Sequence, residues 1–241
     1  MEGSETKHLS YHALVEALDG DGCPFCSLVL SAMERYFSTV VYEQVNDIGM
    51  RAAWRASQGY CAAHGEMLRQ ARSALGSAII HRDVVNTLIQ ALEGESLPEN
   101  TPRGWLRGLV DAGHHPRDRV LGGAEPCPAC LRIYEREQNY IDTLLLNWDD
   151  ELLQTKFRNS AGLCLSHLRL TLDRVKYAAQ FEAIKAAHLA IWRDLIGELD
   201  EFIRKQDYRF ADESIGAEGT SWSRAIDLVS GSCQVAGSHL R

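Results

Sequence analysis

The sequence predicts an all-α protein built from two related helical units. Three observations carry this. Apolar residues recur at steps of three and four through most of the chain. Alternating β-branched runs and prolines are few. One set of cysteine and histidine motifs occurs twice, about a hundred residues apart.

Residues 9–19 read as a short helix with Leu14, Val15 and Leu18 on one side, broken by "DGDG" at 19–22. A long helix is expected from Pro24 to Glu43, where Val29, Met33, Phe37 and Val40 step by four and three. Another runs from Asn46 to Ala56, with Asn46 as its cap. Two more cover 61–75 and 78–93, split near Gly76. Residues 94–125 are rich in Gly, Pro and charge and read as a connector, with His114 and His115 as solvated loop residues. Helices resume over Pro128–Leu153 and from Leu163 onward. Phe181, Ile184, His188, Ile191, Leu195, Leu199 and Phe202 are spaced 3, 4, 3, 4, 4, 3. That narrow seam suits a helix partner: it should pack the two units together or serve a partner chain. His188, inside it, reads as a hydrogen-bonded core histidine. A last helix is expected at 221–229. The expected organisation is thus a first metal-binding unit at 1–95, a connector at 96–125, a second unit at 126–210 and a tail at 211–241.

Of 241 residues, 45% are apolar, enough for a sizeable core. A net charge of −8 argues against a general nucleic-acid binder, which needs a basic face to neutralise phosphates. No apolar run reaches the roughly 18 residues a membrane span needs, and the polar N-terminus lacks a signal-peptide core. A cytoplasmic location is expected. In that reducing setting seven cysteines point to metal ligands, redox thiols or buried side chains rather than disulfides.

The repeat is explicit. Cys23 and Cys26 map onto Cys127 and Cys130 with an offset of 104; Cys61 and His64 map onto Cys164 and His167 with an offset of 103. "WRASQGYCAAH" and "FRNSAGLCLSH" are two versions of one segment, which duplication of a helical unit explains. Cys-Pro-x-Cys before a helix places proline at the first helical position, where its missing N–H does no harm. Two intervening residues bring both sulfurs within reach of one ion. Cys-x-x-His on a helix puts both side chains on one face. Each half therefore offers three sulfurs and one nitrogen: Cys23, Cys26, Cys61 and His64, then Cys127, Cys130, Cys164 and His167. Duplication favours pairing within each half, although the sequence also admits pairing across the repeats. Thiolates with imidazole favour zinc in a closed tetrahedral site, two Zn²⁺ per chain; an iron–sulfur cluster is the alternative. Covalent haem would need Cys-x-x-Cys-His, and neither Ser27 nor Leu131 is histidine. A thioredoxin-like dithiol would need a preceding strand and leaves Cys-x-x-His unexplained. Cys233 reads as a bystander.

One further constellation, Glu43, Asn46, Asp47 and Arg51, lies along one expected helix face and would make an enzyme reading with a polar groove near Glu43 and Asp47. A solvated face is the plainer reading. No phosphate-binding loop, nucleophile elbow or set of paired Glu-x-x-His motifs of the kind di-iron bundles use is found.

The string "GCPFC…YEQVND…GYCAAH…CPAC…GLCLSH" resembles an uncharacterised bacterial domain family with paired Cys-Pro-x-Cys and Cys-x-x-His motifs, over most of the chain from Gly22 to beyond Trp222. The resemblance implies that the whole chain is one bacterial protein, and no activity. The expected function is a metal-stabilised binding or interaction module, with a protein partner or a homo-oligomer and no membrane. The alternatives are iron–sulfur electron transfer or redox sensing, and the enzyme reading above.

Overall fold

In a computed structural model, residues 3–94, 125–210 and 212–231 are described. They form ten α-helices and no strand. The first five are α1 (Gly3–Ala17), α2 (Pro24–Tyr42), α3 (Ile48–Ala56), α4 (Ala62–Gln70) and α5 (Ala74–Glu93). The rest are α6 (Pro128–Leu146), α7 (Glu151–Asn159), α8 (Leu165–Arg174), α9 (Ala178–Lys205) and α10 (Ser221–Ser230). The runs α2–α5 and α6–α9 follow one order, with 19, 9, 9 and 20 residues against 19, 9, 10 and 28.

The seam of α2 is buried throughout: Val29, Met33, Phe37 and Val40 are all core residues. Its counterpart on α6 is Ile133, Glu137, Ile141 and Leu144, also buried. Several boundaries differ from expectation, α1 beginning at Gly3 rather than residue 9 among them. Asp47, not Asn46, caps α3, accepting a hydrogen bond from the Met50 N–H at 2.7 Å. The long helix expected to run to Leu153 ends at Leu146, and Asp150 caps α7 through the Leu153 N–H at 2.9 Å. The break expected near Gly76 falls at 71–73, where Arg72 takes a left-handed φ of 54°. Gly76 lies in the first turn of α5, capped by Ser73. Its reason is tertiary, since a Cβ there would stand 2.5 Å from the carbonyl oxygen of Val41.

The described residues divide into two compact units that do not follow the sequence halves. One holds residues 3–32 and 133–231; the other holds 33–94 and 125–132. Helices α2 and α6 each belong partly to both. In the first unit, α9 packs on α7, on α10 and on the 3-10 turn Ala217–Thr220. Within its seam Ile184, His188 and Ile191 are buried, while Phe181 is exposed. His188 is the bonded core histidine expected: its Nε2 accepts from the Leu163 N–H at 3.1 Å and its Nδ1 lies 3.1 Å from the Ile184 carbonyl. In the second unit α3 packs on α5, where Arg51 and Arg55 both pair with Asp83. No helix among the described residues is long and apolar enough to cross a membrane.

Candidate metal centres

The sequence places eight donors on four helix starts. Cys23 and Cys127 precede the first-turn prolines of α2 and α6, and their carbonyls accept the Ser27 and Leu131 N–H groups at 3.2 Å. Cys26 and Cys130 follow within that first turn. Cys61 and Cys164 are the N-caps of α4 and α8, with φ/ψ of −63°/166° and −64°/162°. Neither thiol makes a capping hydrogen bond. Each sulfur turns instead toward the histidine three residues on. Gly59 and Gly162 lie two residues upstream with φ of 94° and 70°, a left-handed entry that disfavours side chains.

Which helix starts meet is the main departure from expectation. Pairing within each half does not occur. Cys23 and Cys26 of α2 meet Cys164 and His167 of α8, all in the first unit; Cys61 and His64 of α4 meet Cys127 and Cys130 of α6, all in the second. In each group the four donor atoms lie within 4.8 Å of one another. In the first centre His167 Nδ1 is 3.4 Å from Cys23 Sγ, 3.4 Å from Cys26 Sγ and 3.2 Å from Cys164 Sγ. In the second, His64 Nδ1 is 3.1, 3.6 and 3.3 Å from the sulfurs of Cys61, Cys127 and Cys130. The Cys26–Cys164 and Cys61–Cys130 sulfurs are 3.7 and 3.8 Å apart, and all six described cysteines are free thiols.

These spacings fit a single ion. Tetrahedral donors at zinc–sulfur and zinc–nitrogen bond lengths stand roughly 3.5–3.8 Å apart. The positive ends of two helix dipoles also converge on each group, which suits three thiolates. The donors of the first centre shift one another's titration. Hydrogen bonds from Cys23 and Cys26, with His167 adding to them, hold the Cys164 thiol well below the ordinary thiol range. Burial pushes Cys23 well above it. Burial disfavours the charged imidazole of His167, yet hydrogen bonds to Cys164, Cys26 and Glu137 outweigh it and raise the ring to about 11. In the second centre burial pushes Cys127 and Cys130 up.

The surroundings differ between centres. Beside the first, Phe25 meets the His167 ring edge-on at 5.6 Å, and Glu137 Oε1 lies 3.2 Å from His167 Nε2. Glu137 was not singled out from the sequence, although a carboxylate inside the apolar seam of α6 is a visible anomaly. A cavity of about 520 Å³ adjoins this centre, with Cys23 and Cys164 in its wall beside Asp194, Glu198, Arg224 and Asp227. Beside the second, Phe37 lies 6.5 Å from the His64 ring. Nearby, the Trp54 indole N–H donates to the Tyr60 hydroxyl at 2.9 Å, which lies 3.1 Å from the Tyr36 hydroxyl.

Glu43, Asn46 and Asp47 are exposed, Asp47 is spent on its cap, and Arg51 pairs with Asp83. His114, His115 and Cys233 lie outside the described residues.

An all-helical chain with two four-donor groups that can hold metal ions is the class of protein the fold and sites define. The chain belongs to a family of unknown function, DUF6062, whose model matches residues 12–236. It is also similar to an uncharacterized 23.9 kDa protein in the xynA 3′ region from Caldicellulosiruptor sp. (strain Rt8B.4), 24% identical over 225 residues that cover 90% of this chain and 99% of that one. No solved structure matches the chain.

Proposed function

We propose that each centre holds one zinc ion as a structural cross-link, and that the chain is a metal-stabilised helical binding or interaction module. The carrying observation is the donor spacing, four atoms within 4.8 Å in both groups. A polynuclear iron–sulfur cluster hangs its ligands on different iron atoms and needs them spread around a larger core. With four protein donors the zinc shell is full, so the cavity beside Cys23 and Cys164 gives access to thiolates and not to an open coordination position. The matched helix lengths and the paired caps at Asp47 and Asp150, and at Cys61 and Cys164, support two copies of one unit. For the interaction role, α10 offers Trp222, Ile226 and Val229, four and three apart and each more than half exposed.

Elemental analysis of purified full-length protein should find about two zinc per chain in a colourless sample. Stripping the metal with a chelator should abolish most helical circular dichroism, because structural zinc supplies on the order of 10 kcal/mol of folding free energy. Iron with inorganic sulfide, or helices indifferent to metal removal, would overturn the proposal.

A further inference from the structure

We infer that Glu137 is a positioning residue for His167 and tightens the first centre's hold on its ion; this rests on the metal reading above. His167 faces the three sulfurs through Nδ1, at 3.2 to 3.4 Å, so Nε2 is the far nitrogen of the ring. That nitrogen lies 3.2 Å from Glu137 Oε1, with His167 2% and Glu137 4% exposed. A neutral imidazole that ligates through Nδ1 carries its proton on Nε2 and donates it to the carboxylate. The bond fixes both tautomer and ring angle and makes Nδ1 more electron-rich.

Glu137 sits between Ile133 and Ile141 in the buried seam of α6, where burying a carboxylate is unfavourable unless it is bonded. An outer carboxylate on a ligating histidine typically changes metal affinity by about 10–100-fold.

The test is chelator competition on full-length, zinc-loaded protein, comparing wild type with Glu137→Gln and Glu137→Leu. Glu137→Leu should weaken the binding of one of the two ions about 10–100-fold and leave the other unchanged. Glu137→Gln keeps an acceptor without the charge and should fall between. With cobalt(II) as probe, the Gln variant should shift the visible bands of one of two ions. Equal weakening of both ions marks a general loss of stability and overturns the assignment, as does no change in either. A wild type that takes up no stoichiometric zinc would fail earlier, and would sink the metal reading itself.

Discussion

The sulfurs of Cys26 and Cys164 are 3.7 Å apart although the residues are separated by 138 positions. A four-donor shell is cooperative, because losing one donor opens the whole site. Cys26→Ser and Cys164→Ser should therefore each cost the same ion, and the double variant should still retain about one zinc per chain. Cys26→Ser combined with Cys61→Ser should retain none. Elemental analysis decides it, and the reverse pattern would restore pairing within each half. The eight donors were legible because residue type and spacing alone put two of them on one helical turn. Their pairing was not, since spacing is silent on which turn meets which, and a duplicated sequence, though it favours closure within each half, also admits the crossed solution. Glu137 was visible only as a charge in an apolar seam; its purpose needed the far nitrogen of His167.

Helices are set by local signals, and most were readable as such. The seam of α2 and the start of α6 at Pro128 follow from period and proline. The misplaced breaks share a cause. Gly76 looked like a local break but answers to Val41 in another helix. The turn at 71–73 carries neither glycine nor proline. His188 on α9 shows how one side chain can tie elements together. It bonds Leu163 just before α8, and its ring meets Phe157 of α7 at 5.1 Å. Burial holds its pKa below the ordinary 6.5, with the Ile184 carbonyl opposing in part. As pH falls through 6.5 the unfolded chain protonates this residue first. In that window the unfolded state binds more protons, so stability rises with pH and is lost as pH drops. At fixed free zinc, wild type should lose up to about 1.4 kcal/mol per pH unit more than His188→Gln between pH 6.5 and the folded pKa. Denaturant titrations at several pH values measure this, and parallel slopes would remove His188 from the account.

At the scale of the molecule, each unit draws on both sequence halves, and so does each centre. The first takes two donors from α2 and two from the start of α8. The second takes two from the start of α4 and two from α6. Residues 96–124 supply none of these eight donors, so they can be cut without opening either shell. A site-specific protease sequence placed there should give two fragments, each with four of the eight donors. With zinc bound they should elute together on gel filtration at the size of the intact chain, because every ion is held by both pieces. Chelation removes that cross-link, and the fragments should then separate or unfold. Had each half closed its own site, zinc would stabilise the fragments singly and add nothing to their association. Fragments that part company while each keeps a full zinc complement would therefore refute the crossed arrangement. Fragments that stay joined until the chelator is added would establish that the chain becomes one structure through its two shared centres.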